Sequence, residues 1–250
     1  MIIAQISDTH IAHDTADRKR RLEDFERTID DINGLDAPPD VIVHTGDVAH
    51  SGHPSEYAAA LEILAKAPSP VFVLAGNRDD RKNLRQAFSH QGYLKPDCEF
   101  IEYTVDDLPF KLVMLDTVST NSNKGDFCRV RAQSLKSLTN NKSAKPIIVF
   151  AHHPPFEAME CPDPFQFETR ESMSRMRDGL AGIDGLAAIF CGHVHRFDKG
   201  DVAGTLATAM PSTATTLRKG IYPETMHTRP IYQLHRFDPE TGLATETRIV

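Results

Sequence analysis

Residues Val71–Arg81 read V-F-V-L-A-G-N-R-D-D-R. An apolar run meets Ala-Gly-Asn, and the next four side chains, Arg78, Asp79, Asp80 and Arg81, are all charged. A solvated turn after a strand accounts for such a switch. So does a strand whose C-terminal end aims Asn77, Arg78 and Asp79 at a ligand that takes both an amide oxygen and a positive charge. The rest of the chain decides between these readings, because the same transition recurs.

Short apolar runs occur at 2–7, 41–44, 71–75, 112–116, 147–151 and 187–191. Several are rich in Val and Ile and apolar at both parities, as strands covered on both faces should be. Helix-period segments alternate with them. In 18–33, Leu22, Phe25, Ile29 and Ile32 share one face. The spacing predicts a second helix over 56–67 with Ser55 as its cap, and a third over 131–142 with Leu135 and Leu138 inward. Residues 100–116 read as a hairpin turning at Asp106-Asp107-Leu108-Pro109. Residues 205–250 read as further strands with a turn at Asp238-Pro239-Glu240-Thr241-Gly242. The pattern is layered α/β, with a mixed sheet or two packed sheets in one domain spanning 1–250.

A 250-residue chain can bury a large core, and 40% hydrophobic with 25% charged residues is ordinary for a globular protein. The net charge of −7 argues against a nucleic-acid polymer as the main partner. A small anionic substrate remains compatible, because a local cationic site can sit in an acidic protein. The first ten residues, M-I-I-A-Q-I-S-D-T-H, have no basic start and turn polar after six positions, so neither a signal peptide nor a targeting helix is expected. No apolar run reaches bilayer-spanning length, so no membrane partner is expected either. Cys98, Cys128, Cys161 and Cys191 form no CxxC pair, which suits reduced thiols and a cytoplasmic location. Cys191 reads as a small buried hydrophobe.

The chemistry gathers at the ends of the apolar runs. The first run ends in S-D-T-H (Asp8, His10), the second in T-G-D-V (Asp47) and the third in G-N-R-D (Asn77). The fifth ends in A-H-H-P-P (His152, His153) and the sixth in C-G-H-V-H (His193, His195). Ligand sites of α/β sheets lie at C-terminal strand ends. A lone histidine is more often a core or surface residue than a ligand. Agreement at five strand ends, with few cations nearby to neutralise the carboxylates, is a different matter. On extended chain, residues i and i+2 share a face, so Asp8 with His10, and His193 with His195, can reach one centre. Carboxylate, imidazole and amide oxygen suit Mn, Fe, Zn or Co. Seven ligands exceed one tetrahedral site and match two metals bridged by a carboxylate, for which Asp47 is the candidate. The absence of thiolates argues against a structural zinc site.

The series D-x-H, G-D, G-N-[HR]-D, H-H and G-H-x-H, running in order from Asp8 to His195, resembles the signature of calcineurin-like metallophosphoesterases. Ala209–Thr213 (A-M-P-S-T), H-H-P-P and the run from Gly46 to Tyr57 resemble the class III cyclic-nucleotide and glycerophosphodiester phosphodiesterase branch. The resemblance implies an αββα sandwich: two mixed β-sheets flanked by helices, with the metal site at the C-terminal strand ends and residues 205–250 completing the sandwich. It implies two divalent ions, Mn or Fe favoured. Asp8, His10, Asp47 and His195 would hold one, and Asp47, Asn77, His152 and His193 the other. The implied reaction is hydrolysis of a small phosphodiester by a metal-activated hydroxide attacking in line.

Most of that family carries histidine where this chain has Arg78. Arginine can clamp phosphate oxygens but cannot donate a proton at neutral pH, so Arg78 is expected to bind phosphate beside Asn77 and not to act as an acid. His153 is a candidate for substrate contact and for that missing proton, with a packing role equally open; Asp47, Asn77, Arg78 and His195 are the expected catalytic set. G-N-R-D also occurs in the branch that cleaves the pyrophosphate of UDP-2,3-diacylglucosamine, which makes such a hydrolase the runner-up. A phosphomonoesterase is compatible with the same ligand series. A non-catalytic scaffold of this fold is disfavoured, because all seven ligand positions are filled. Residues 156–178, with Phe156, Phe165, Phe167 and three methionines laced with charge, are read either as a lid over the site or as core packing. The basic run Arg18–Arg21 reads as a solvated face, and Asp80 and Arg81 as a solvated helix start. His50 and His53, and Thr213 and Thr215, are candidates for lining the cleft. Edges in the hairpin and the C-terminal strands leave room for a homodimer or a higher homo-oligomer.

Overall fold

The computed structural model describes residues 1–140, 145–238 and 241–250. The chain begins with β1 (Ile2–Ile6), α1 (Arg18–Asn33), β2 (Val41–His44), α2 (Pro54–Leu64), β3 (Val71–Val73) and α3 (Arg81–Ala87). A hairpin of β4 (Tyr103–Val105) and β5 (Lys111–Leu115) follows, then α4 (Arg129–Leu138), β6 (Ile147–Ala151), α5 (Arg170–Ala181) and β7 (Leu186–Cys191). The remainder holds β8 (Asp198–Val202), β9 (Thr205–Ala209), α6 (Glu224–His227), β10 (Ile231–Asp238) and β11 (Gly242–Ile249).

These strands form two mixed sheets, ordered β11-β10-β1-β2-β3 and β4-β5-β6-β7-β9-β8. Side-chain alternation explains how the second sheet serves two layers. Leu112, Met114, Ile148, Phe150, Ala188 and Phe190 face the first sheet in the main core. Their neighbours Val113, Leu115, Val149, Ala151, Ile189 and Cys191 face the other way, against Leu135 of α4 and Met176 and Leu180 of α5. On the far side, α1 buries Phe25, Ile29 and Ile32, spaced four and three apart, into the main core. The arrangement is an αββα sandwich, as the resemblance implies. The parallel strands β1, β2, β6 and β7 all point their C-terminal ends to one edge of it.

Several local expectations are corrected. The cap of α2 is His53 and not Ser55, because Pro54 takes the first helical position and Glu56 reaches back to the His53 amide at 3.1 Å. The third predicted helix starts earlier and ends at Leu138; residues 141 and 142 of its expected span lie outside the described residues, as do Pro239 and Glu240 of the predicted turn. Asp80 caps α3, but Arg81 is not solvated. Its guanidinium meets the buried Asp116 carboxylate at 2.7 and 2.8 Å and also donates to the Val118 carbonyl. Residues 170–178, expected as part of a lid or packing segment, open the helix α5, and Phe156 and Phe167 are buried. In the basic run, Arg21 is buried, and Arg20 pairs with Asp24 at 3.0 Å.

Asp116 also accepts the amides of Ile101 and Val118, and its Oδ1 lies 3.7 Å from Arg131. Breaking such a buried pair strands two cations. Asp116→Ala is therefore expected to lower the unfolding free energy by about 3–5 kcal/mol in urea titration.

His235, on β10, is buried between Gln5 Oε1 and Thr245 Oγ1 and stacks on Phe190. Burial pulls its imidazole down to about 3. The unfolded chain, titrating near 6.5, binds the proton first, so this stability is complete above that pH and declines as pH falls towards 3. Between pH 7.5 and 5, wild type should lose about 2 kcal/mol more than His235→Gln, measured by urea unfolding at both values.

Candidate metal centre

The strand ends deliver their polar residues through a strained backbone. Among the described residues, six non-glycine positions have positive φ, and five of them are Asp8 (53°), His10 (44°), Asp47 (53°), His193 (70°) and His195 (57°). Each such conformation costs about 1–3 kcal/mol and persists only where its surroundings over-determine it. Two glycines admit the close approach. A Cβ on Gly76 would lie 2.2 Å from both the amide nitrogen and Oδ1 of Asp47, and one on Gly192 would lie 2.1 Å from Ser7 Oγ.

Two groups of donor atoms result. In one, His10 Nε2 lies 3.2 Å from Asp47 Oδ2 and 3.3 Å from His195 Nε2, which is 3.2 Å from Asp8 Oδ1. In the other, Asn77 Oδ1 lies 3.1 Å from His152 Nε2 and 2.9 Å from His193 Nδ1. His152 Nε2 is also 3.6 Å from Asp47 Oδ2, so Asp47 belongs to both.

The outer nitrogens of three rings fix which inner nitrogens carry lone pairs. His152 Nδ1 donates to the Thr45 carbonyl at 2.8 Å, His193 Nε2 to Gln166 Oε1 at 3.0 Å and His195 Nδ1 to the Leu217 carbonyl at 3.0 Å. Their inner nitrogens, as neutral imidazoles, then face Asn77 Oδ1 and Asp8 Oδ1, which also carry only lone pairs. Acceptor facing acceptor at about 3 Å is repulsive unless a cation lies between. Asp8 Oδ1 is buried with no hydrogen-bond donor. The donor set fits divalent metal ions.

For His10 and His193 the electrostatics favour the neutral ring, and for Asp8 and Asp47 the ionised carboxylate; His152, without a metal beside it, is drawn towards the charged form by those carboxylates. Burial holds His10 below its ordinary range. Burial, then the neighbouring His153 and His152, push His193 well down. Burial, the largest influence, would raise Asp8, but His195 and His152 together hold the carboxyl below its usual range; Asp47 is likewise held low against burial by His152 and His10. His152 moves up despite its burial, because Asp47 and Asp8 lie close.

Asp79 of the G-N-R-D stretch turns inward. Its carboxylate accepts the amides of Val48, Ala49 and Gly76, tying the second strand end to the third, and burial beside Asp47 pushes it up to about 7. Arg78 is exposed, and its guanidinium makes no hydrogen bond or ion pair among the described residues. Its amide donates to Asp47 Oδ1 at 2.7 Å.

His153 is fully buried, with Nδ1 against Thr117 Oγ1 at 2.8 Å and Nε2 against the Asn123 carbonyl at 3.1 Å. Although it stands close to His152 and His193, both its nitrogens are engaged, and burial lowers it to about 3. Of the two roles expected of it, this engagement of both nitrogens accords with packing. Thr213 is buried against Ser7, and Thr215 holds Asp24, so neither lines the centre. His50 does stand beside it, 5.8 Å from the His10 ring and bonded to Arg21, which also donates to the His10 carbonyl. Gln166, Thr45 and Arg21 support the centre without being expected ligands; Thr45 opens the T-G-D-V motif, Gln166 lies in the 156–178 segment, and Arg21 belongs to neither.

A sequence profile described as calcineurin-like phosphoesterase matches residues 1–197. The chain belongs to the calcineurin-like phosphoesterases. A probable glycerophosphodiester phosphodiesterase of Arcobacter nitrofigilis is 28% identical, covering 100% of this chain and 93% of that one. A 3′,5′-cyclic adenosine monophosphate phosphodiesterase of Pseudomonas aeruginosa is 24% identical over 88% of this chain and 79% of its own. A dimetal phosphatase of Danio rerio shares the fold with a TM-score of 0.70 at 13% identity, over 99% and 98% of the two chains. Calcineurin-like phosphoesterases use a dinuclear divalent metal centre, which accords with the two clusters of metal-ligating side chains here, Asp8 with His10, Asp47 and His195, and His152 with His153 and His193. No helix among the described residues is long and apolar enough to cross a membrane.

Proposed function

We propose that this protein is a dinuclear metallophosphodiesterase of small phosphodiesters, of the cyclic-nucleotide or glycerophosphodiester type, working in the cytoplasm. The observation that carries the reading is the set of lone pairs aimed at two points around Asp47. Asp8, His10, Asp47 and His195 would hold one ion, and Asp47, Asn77, His152 and His193 the other. Two bound divalent ions, manganese or iron favoured, supply Lewis acidity to the phosphate and lower the pKa of a water. The chain positions the rest. The Arg78 amide occupies Asp47 Oδ1 and leaves Oδ2 to the imidazoles. The free Arg78 guanidinium binds non-bridging phosphate oxygens and stabilises charge as the leaving oxygen departs.

The test is hydrolysis by metal-stripped protein with and without Mn²⁺, across a chromogenic phosphodiester, its monoester, 3′,5′- and 2′,3′-cyclic nucleotides, glycerophosphodiesters and a UDP-diacylglucosamine analogue. Manganese-restored turnover of the small diesters is expected. Turnover of the UDP lipid alone, or of the monoester alone, contradicts the proposal.

A further inference from the structure

His193 is held differently from the other rings of the centre. His152 and His195 rest their outer nitrogens on backbone carbonyls, those of Thr45 and Leu217. The outer nitrogen of His10, Nδ1, is buried with no hydrogen-bond partner among the described residues. The outer nitrogen of His193 meets a side chain instead, Gln166 Oε1, at 3.0 Å. Its lone pair at the centre therefore depends on a group that substitution can change.

Each polar atom on that path admits one orientation. The Asp163 carbonyl can only accept, so the Gln166 nitrogen facing it is the donor end of the amide. Oε1 is thereby turned to His193, where it too can only accept, and His193 Nε2 must carry the ring hydrogen. In the neutral ring Nδ1 then keeps the lone pair, 2.9 Å from Asn77 Oδ1. A reversed amide would offer its NH2 to Nε2, move the ring hydrogen to Nδ1 and spoil that nitrogen as a ligand.

The orientation begins at a fastening on the surface. Lys124 Nζ meets Asp163 Oδ2 at 2.7 Å and the Phe165 carbonyl at 2.9 Å. The Gly125 amide donates to the Gln166 carbonyl at 2.8 Å, and the Glu168 amide donates to the Gly125 carbonyl at 2.8 Å. The backbone on both sides of Gln166 is thus pinned to residues 124 and 125. In an unfastened loop the same glutamine would spread over several rotamers and could present either end of its amide.

We propose that Gln166 is a positioning residue for the centre: held by the fastened 163–168 segment, it sets the His193 tautomer that leaves Nδ1 free for the ion shared with Asn77 and His152. The ion rests on the dinuclear reading, but the tautomer is testable without it.

Two substitutions separate the acceptor from the fastening. Gln166→Glu keeps an oxygen for His193 and loses the donor to Asp163, whereas Gln166→Leu loses both. In the metal-stripped full chain, ring-nitrogen NMR shifts of His193, taken above the range where imidazole is charged, read the tautomer directly. Wild type and Gln166→Glu are expected to hold the hydrogen on Nε2, and Gln166→Leu to divide it between the two nitrogens. In equilibrium dialysis against Mn²⁺, Gln166→Leu should bind one of the two ions about 10–100-fold more weakly, with Gln166→Glu within about threefold of wild type or tighter. Hydrogen on Nδ1 in wild type, or an unchanged tautomer in Gln166→Leu, overturns the proposal. Metal binding as weak in Gln166→Glu as in Gln166→Leu also overturns it, because the loss then belongs to the fastening. Expected tautomers in a wild type that binds fewer than two ions sink the dinuclear reading and leave the Gln166 lock standing.

Discussion

Asp47→Asn is expected to reduce metal-dependent diester hydrolysis by about 10³-fold or more and to lower the bound metal content, while the protein stays folded. The carboxylate stands in both donor groups, 3.2 Å from His10 and 3.6 Å from His152. An amide at this position keeps volume and one oxygen but removes the negative charge that, in the proposed centre, would hold two cations near one another. Asparagine also tolerates the left-handed backbone at φ 53°, so the substitution separates charge from conformation. Asp47→Ala tests the same role less cleanly, because alanine adds strain. Metal analysis, far-UV circular dichroism and steady-state kinetics on one sample decide the matter. Wild-type turnover with wild-type metal content would remove Asp47 from the centre.

Arg78→Ala is expected to lower kcat/KM by about 10²–10³-fold, equivalent to about 2.7–4 kcal/mol, the usual scale for losing one preorganised charge-stabilising donor. Metal content should not change, because the contact with Asp47 runs through the Arg78 amide, which every non-proline residue retains. In the proposed mechanism the free guanidinium would separate two roles that a histidine would combine: it would bind and stabilise negative charge and leave protonation of the departing oxygen to another source. Arg78→His therefore discriminates further: it should lose binding strength and gain relative rate on diesters with strongly basic leaving groups. An unchanged kcat/KM in Arg78→Ala would make this arginine a surface residue.

Much of the architecture is legible in the sequence because its signals are local. Runs such as 41–44 and 147–151 coincide with β2 and β6, and the helical period from Arg18 to Asn33 coincides with α1. The ligand-bearing motifs are legible for a related reason: each sits where an apolar run stops, and five of the positions need left-handed backbone just after a buried strand. What escapes is long-range. Nothing near Arg81 announces that its partner is Asp116, thirty-five residues away. Asp79 reads as aimed at the ligand because its true direction depends on amides of the previous strand end, Val48 and Ala49. The engagement of both His153 nitrogens rests on Thr117 and Asn123, residues with no motif of their own. Equally illegible are the backbone carbonyls of Thr45 and Leu217, which set the tautomers of His152 and His195. A backbone carbonyl exists at every residue, so only the fold can select these two.

In the proposed mechanism Asp47 would join two ion sites. The measurement is titration of metal-stripped protein with Mn²⁺, following bound metal by equilibrium dialysis and phosphodiester turnover in the same samples. Two ions per chain are predicted at saturation in wild type, with turnover appearing as the second binds, and fewer than two ions in Asp47→Asn. Full turnover with a single ion bound, or turnover independent of added metal, would contradict it.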